Sequence, residues 1–231
     1  MELLIGAVIG TITSILTSAA VAIFVEYMRR PRLELSVEVP PLDQSYSPPT
    51  HGITQMRSLR LCVFNKPLPR FARWMVRAPA LECRAAISFH HLDGRNVFGR
   101  AMEGRWARSP EPVPLPVVGP GGQHSQILDF TRLTLASRID IYPGQTETLD
   151  IVNRPDNDSS CYGWNNEAYF ATPAWRNQNW ALPTGRYLVT AVISSSGQEF
   201  TDYFHLYNDV RRTDCRLDRA NDEERNRLRN A

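Results

Sequence analysis

The chain has 231 residues and a formal net charge of +2, which gives no strong field and so no expectation of nucleic acid as a partner. Its 26 basic residues include one lysine, Lys66, and are scattered along the chain, the mark of composition rather than recognition. After residue 30 the apolar runs are short and broken by many of the 17 prolines; the longest, Tyr187 to Ile193, is about a third of the length that a membrane-spanning helix needs.

From Leu3 to Val25, 23 residues carry no charge. At a rise of about 1.5 Å per residue they reach about 34 Å, enough for a hydrocarbon core of about 30 Å. A cleaved leader would want a basic start and a shorter apolar core. Here the start is Met1-Glu2, and the run continues past Ala20-Val21-Ala22, which resembles a cleavage site, into Glu26, Arg29, Arg30, Pro31 and Arg32. Residues 1–30 therefore read as a retained transmembrane anchor, with the lipid bilayer as first partner. Arg29, Arg30 and Arg32 follow the helix and no basic residue precedes it, so the positive-inside rule puts the N-terminus outside and the remaining chain in the cytoplasm, at a cell inner membrane. Gly6 and Gly10 form a GxxxG pair, and Thr13 and Thr17 continue nearly the same stripe. Small residues let two helices approach closely, which makes this stripe a candidate face for helix association in a homo-oligomer; the alternative is that such residues are common in spans of every kind. The span holds no acid, base or histidine between Leu3 and Val25, which argues against an ion or proton relay.

Residues 31–210 read as one β-domain. Arg32 to Val39 alternates, with Leu33, Leu35, Val37 and Val39 on one face, the pattern of a half-buried antiparallel strand that begins with no flexible stalk. Pro40 to Gln55 has loop composition. Leu59, Leu61 and Val63 mark a second strand. From Lys66 to Ala80 a short helix opening at Pro69 would place Phe71, Trp74, Met75 and Ala78 on one face and Arg70, Arg73 and Arg77 beside them. Such a basic amphipathic turn suits an anionic inner leaflet, giving Arg29, Arg30, Arg32, Arg70, Arg73, Trp74 and Arg77 as a candidate membrane surface. The alternative is a turn that caps the domain core with its arginines in solvent. Leu81 to Phe89 puts Leu81, Cys83, Ala85, Ile87 and Phe89 inward, Leu92 to Arg95 is a hairpin turn, and Trp106 lies in a partner segment. Residues 109–124, rich in proline and glycine, read as an irregular connection, and their GPGG lacks the GK[ST] of a phosphate cradle. Strand signals resume at Ile127 to Leu135 and at Ile139 to Ile151, the latter turning at Tyr142 to Gln145. Arg186 to Ser194 and Glu199 to Tyr207 form the firmest hairpin.

The order Leu61-Cys62-Val63-Phe64-Asn65, Ala85 to Phe89, Tyr142-Pro143-Gly144-Gln145-Thr146, then Gly185-Arg186-Tyr187-Leu188-Val189 resembles immunoglobulin-like sandwiches of the bacterial cell-adhesion-related kind over residues 59–207. About seven short strands with turn punctuation and no long helical pattern already make a mainly β chain, an antiparallel sandwich with long loops, the expected architecture; the resemblance implies an immunoglobulin-like form of it, a tyrosine-corner role for Tyr187, and a task of binding or spacing. Val189 stands where an antibody-type domain carries its second cysteine, so the disulfide of that family is missing.

Cys62 falls on the Arg60 face of its strand and Cys83 on the apolar face of its own, so free thiols in a reducing compartment are expected for Cys62, Cys83, Cys161 and Cys215. The chain has no CxxC, HxxxH or HExxH motif, and adjacent His90 and His91 point to opposite faces of a strand; no metal and no cofactor are expected. Segment 152–181 is the exceptional one. It carries Tyr162, Trp164, Tyr169, Phe170, Trp175 and Trp180 among amides, a set able to hold a sugar, base or peptide, or else to cover the sandwich edge or meet another subunit. Residues 211–231 read as a charged C-terminal tail, solvated, with an Asn221/Glu224 capping box for a short helix. No catalytic constellation is present, and the expectation is a non-enzymatic, single-pass interaction or oligomerisation protein, a membrane effector or a subunit of a larger membrane assembly. The second expectation is an exported carbohydrate-binding domain that uses segment 152–181.

Overall fold

In the computed structural model the described residues are 2–46, 54–72, 74–109, 115–118, 124–127, 137–171 and 176–229. The chain opens with a helix, Glu2–Arg29. Its Thr11–Arg29 stretch, mean hydropathy 1.5, is the one helix among the described residues long and apolar enough to cross a membrane. Ile12, Ile15, Leu16, Val21, Ile23 and Phe24 are exposed, while Met28, in the last turn, is buried against the body.

The strands are β1 (Leu33–Val37), β2 (Leu42–Tyr46), β3 (Thr54–Asn65), β4 (Ala80–His90), β5 (Met102–Glu103), β6 (Arg105–Trp106), β7 (Leu115–Val118), β8 (His124–Ile127), β9 (Ile139–Ile141), β10 (Thr146–Pro155), β11 (Cys161–Gly163), β12 (Ala181–Leu182), β13 (Gly185–Ser195), β14 (Gln198–Asn208) and β15 (Arg216–Arg219). One antiparallel sheet runs β1-β3-β10-β11-β12, with β2 also on β3 and β6 on β10; the other runs β15-β14-β13-β4-β5, with β9 on β4. The two share one apolar core. Leu35, Leu59, Leu61, Val63, Leu149 and Ile151 come from the first sheet, and Ala85, Ile87, Phe89, Val189, Ala191, Ile193, Phe204 and Leu206 from the second. Period-two alternation in the sequence puts these side chains on the inner faces. Trp106, wholly buried, donates its indole N–H to the Cys83 carbonyl across the core at 3.2 Å.

The β13–β14 hairpin pairs Gly185 with Asn208 through to Ser195 with Gln198, closed by Ser196 (φ 44°) and Gly197 (φ 80°), the positive-φ pair that a tight two-residue turn requires. Tyr142 to Gln145 hands the chain from β9, in the second sheet, to β10, in the first. At the other end of β13, the Tyr187 hydroxyl donates to the Pro183 carbonyl at 3.0 Å.

Several readings of the sequence need correction. Leu81 points outward, because Glu82 takes φ 49° and the β4–β9 register shifts between Ala80 and Cys83; this bulge turns Ala80 inward instead. Val39 lies beyond the end of β1 and is exposed. The Pro40 to Gln55 loop contains β2, paired with β3, and residues 109–124 contribute to the β7–β8 pair. The strand signal at Ile127 to Leu135 lies, past Ile127, outside the described residues. The charged tail is no separate tail: β15 pairs with β14, burying Leu217 and Cys215, and the C-terminal helix Asp222–Arg229 is held to the sheet by a 2.7 Å contact between His205 Nδ1 and Glu224. The capping box that starts this helix forms reciprocally, Asn221 N–H to Glu224 Oε2 and Glu224 N–H to Asn221 Oδ1, each 2.9 Å.

Candidate functional site

The junction of helix and sheets is built around Asn65. Leu59, Leu61, Val63 and Asn65 share the inward face of β3, so an amide stands where the pattern wants a fourth apolar side chain. Asn65 is fully buried, and it ties three segments together. Its Oδ1 accepts from Arg32 N–H at 3.3 Å, and its Nδ2 donates to the Ile141 carbonyl at 2.9 Å and reaches the Ala78 carbonyl at 3.5 Å. Its main chain exchanges bonds with the Tyr142–Gln145 turn, Asn65 N–H to Gln145 O at 3.1 Å and Gly144 N–H to Asn65 O at 2.8 Å. Lys66 N–H then donates to Arg32 O at 2.9 Å. One side chain thus gathers the helix exit, the 66–79 loop and the turn between the sheets.

The loop itself closes on the end of the helix. Ala78 N–H donates to the Arg29 carbonyl at 2.7 Å, and Arg77 Nη1 donates to the Arg30 carbonyl at 2.6 Å. A helix end leaves carbonyls without partners and carries partial negative charge, so a guanidinium there satisfies both. Arg77 is only 4 % exposed, and burial, with the charge of Arg32 next, pulls its guanidinium down from the ordinary value. The amphipathic helix expected here is not formed. Arg70–Ala72 makes a single 3₁₀ turn, Ala72 is buried, and Phe71, Trp74 and Val76 are each 75 % exposed. A loop bounded by Pro69 and Pro79 is too short to nucleate an α-helix on its own. Arg29, Arg30, Arg32 and Arg70 are exposed, the Arg32 guanidinium lies 5.3 Å over the Tyr27 ring, and Lys66 pairs with Glu34 at 2.7 Å. Arg73 lies outside the described residues.

On the helix, Thr17 turns its hydroxyl back onto the Thr13 carbonyl at 2.8 Å, within the stripe that begins at Gly6 and Gly10.

Segment 152–181 is largely structured. Val152 to Pro155 belong to β10, Cys161–Gly163 adds β11 to it, and Ala181–Leu182 adds β12. Between them Asn165 and Asn177 cap two 3₁₀ turns, accepting from Ala168 N–H and Asn179 N–H. The aromatic side chains pack against the body: Tyr162 is 4 % exposed, Trp164 8 % and Trp180 3 %. Tyr162 donates to Asp158 at 2.6 Å, Tyr169 lies under the Arg105 guanidinium at 5.0 Å and beside Trp164 at 5.3 Å, and Trp180 donates to Glu167 at 3.2 Å beneath Arg100. Trp175 and the side chain of Phe170 lie outside the described residues. A cavity of about 200 Å³ opens beside Trp180, lined by Arg100, Glu103, Asn165 and Glu167 among others. The segment is anchored by a buried charge cluster that joins three strands: Asp150 on β10 accepts from Arg60 on β3 at 2.6 Å and from Arg105 on β6 at 2.8 Å.

All four thiols are free; Cys83, Cys161 and Cys215 are buried, and burial pushes Cys161 well up and Cys215 up to about 11. Thiols held protonated in this way are poor nucleophiles at neutral pH. Among the described residues no group of three His, Cys, Asp or Glu side chains is placed to hold a metal ion.

Sequence reasoning missed Asn65 and misplaced Arg77. The first had a visible signal, a polar residue in phase with three inward apolar ones. The second had none. No protein-family model matches the chain, and no curated protein or solved structure matches it.

Proposed function

We propose that this chain is a single-pass membrane protein that holds a β-sandwich interaction module against the cytoplasmic face of an inner membrane, where it binds a protein partner or a second copy of itself, without catalysis, as a membrane effector or a subunit of a larger assembly. The observation that carries this reading is the junction. A helix with an exposed apolar surface is joined to the sheets through Asn65, Arg77 and Ala78, and β1 begins only four residues past Arg29. A cleaved leader has no need of hydrogen bonds to the mature fold. Arg29, Arg30 and Arg32 on the body side of the helix support the cytoplasmic orientation. An immunoglobulin-like arrangement draws support from the two facing sheets and from the Tyr187 hydroxyl bonded four residues back, as in a tyrosine corner. The second reading, an exported carbohydrate-binding domain, draws on the cavity beside Trp180.

Labelling with a membrane-impermeant maleimide separates the two. Val210 is 82 % exposed and follows Asn208, at the end of β14 away from the helix, whereas Cys161 is buried. A Val210→Cys variant is expected to label only after lysis, above the background of the native thiols. Labelling in intact cells would overturn the cytoplasmic reading and favour the exported one.

A further inference from the structure

The 66–79 loop reverses the arrangement that water selects. A loop at the end of a soluble domain tucks its aromatics inward and leaves its arginines in solvent; here Arg77 is buried and Phe71, Trp74 and Val76 stand out. These three form an apolar prominence on a stretch that carries Lys66, Arg70, Arg73 and Arg77 and no acid from Lys66 to Ala80. Both ends of the loop are tied to the helix exit, by Ala78 N–H to Arg29 O and Arg77 to Arg30 O at one end and by Lys66 N–H to Arg32 O at the other, which holds the loop beside the last turn of the apolar helix. If that helix crosses a bilayer, its last turn lies at the headgroup boundary, the depth at which tryptophan and other aromatic rings are enriched. The nearby carboxylates on the body are engaged: Glu34 pairs with Lys66 at 2.7 Å, Glu82 with Arg138 at 3.2 Å, and Asp140 accepts from Glu82 N–H at 2.8 Å. Arg29, Arg30 and Arg70 remain exposed beside the prominence.

We propose that the 66–79 loop is a second membrane contact, in which Phe71, Trp74 and Val76 enter the headgroup and acyl boundary of the leaflet that the N-terminal helix leaves, and Arg29, Arg30 and Arg70 meet anionic lipid phosphates. The proposal rests on the reading of that helix as a span. Burial of a small apolar group together with attraction to anionic headgroups is how interfacial segments bind, and a single span that already holds the loop at the surface removes the cost of bringing it there. Two attachment points fix the tilt of the body, so that the end carrying segment 152–181 and Val210 faces away from the membrane.

The test uses the full chain in vesicles of phosphatidylcholine with phosphatidylglycerol, with a nitroxide label on Val76→Cys and, separately, on Ile15→Cys and Val210→Cys. Collisional accessibility to oxygen relative to a water-soluble nickel chelate reports depth. The expected order is Ile15 deepest, Val76 at interfacial depth with a ratio severalfold above Val210, and Val210 in water. Adding Phe71→Ser with Trp74→Ser to the Val76 variant is expected to bring its ratio to that of Val210. A buried Ile15 with Val76 equal to Val210 overturns the second contact and leaves the anchor standing; Ile15 in water overturns the anchor itself. A Val76 label shielded from both probes overturns the lipid assignment in favour of a protein neighbour. An unchanged ratio in phosphatidylcholine alone overturns the role given to the three arginines.

Discussion

Asn65→Leu is the sharpest test of the junction, because leucine fills similar volume and removes only hydrogen bonding. The substitution strands the Ile141 carbonyl, whose residue is wholly buried, and the Arg32 N–H, which is part-buried. A buried polar group left without a partner costs about 1–3 kcal/mol, so the fully buried carbonyl and the part-buried amide together come to about 2–4 kcal/mol. The 3.5 Å approach to Ala78 is too long to add to the sum. Urea unfolding of the full chain in detergent micelles, followed by tryptophan fluorescence, has an expected slope of about 2.5 kcal/mol per M for a body of this size, which makes the loss about 0.8–1.6 M in midpoint. Hydrogen exchange sharpens the reading: the Lys66, Ala78 and Gly144 amides, bonded to Arg32, Arg29 and Asn65, should lose protection ahead of the β13–β14 hairpin. A midpoint shift of less than about 0.4 M, or exchange that rises uniformly over both sheets, would refute the claim that Asn65 is what ties helix, loop and turn together.

Two further outcomes follow from the site and the core. Burial raises Asp158, yet the hydrogen bonds from Tyr162 and Ser160 and the charge of Arg176 hold it below its ordinary 3.8, so its contribution is present above that value and is lost as the pH falls through the lower folded one; burial, then Asp158, pushes Tyr162 up to about 12, so its contribution is present below its ordinary 10 and is lost as the pH rises towards 12. Exchange protection over residues 161–171 and 176–180 should therefore fall in acid, and an absorbance titration should show a late tyrosine that Tyr162→Phe removes; complete ionisation by about pH 11 in the folded chain would contradict this. Gly104→Ala would put its Cβ 2.6 Å from the Ala85 Cβ, which the strand fixes in place, and is expected to cost about 1–3 kcal/mol, whereas Gly163→Ala meets the Met102 sulfur at the same 2.6 Å and should cost less because that side chain can move. Equal urea midpoints for the two variants would refute this account of the packing.

What could be read from the sequence was whatever is written locally. The apolar run at Leu3 to Val25, the alternation at Leu59 to Val63 and Tyr187 to Ile193, and the Asn221/Glu224 box each declare themselves within a few residues, and each is where it was expected. Glu82 shows the opposite case. Nothing marks it for a positive φ, and the bulge there shifts Leu81 out and Ala80 in. Arg77 is set by a carbonyl 47 residues earlier, so periodicity around it was bound to place it on the polar face. Segment 152–181 was visible as unusual from its aromatics, but not its extension of the first sheet, because β11 and β12 are short and without alternation. With Trp164 buried, Trp164→Ala reads stability before it reads binding, and a ligand role for the segment is better probed from the rim of the cavity at Arg100 or Glu103.

The junction also bears on how association through the helix would reach the body. Met28, the residue of the last turn that packs on the sandwich, lies 18 residues after Gly10, which is five turns at about 3.6 residues each, so both point in the same direction. The stripe of Gly6, Gly10, Thr13 and Thr17 therefore lies on the same side of the helix as Met28. Two helices paired across that stripe would bring both bodies to the same interface, and a junction without a stalk leaves them no room to swing apart. Lys66 reports on this directly. It is the only lysine in the sequence, and its side chain is half-exposed next to the helix exit. An amine-reactive crosslinker applied to membranes is expected to join Lys66 to Lys66 of a second copy, and Gly6→Ile with Gly10→Ile should abolish that product. A Lys66 dimer that survives the double substitution would place the contact between bodies on another face, and would refute the coupling of helix pairing to the sandwich.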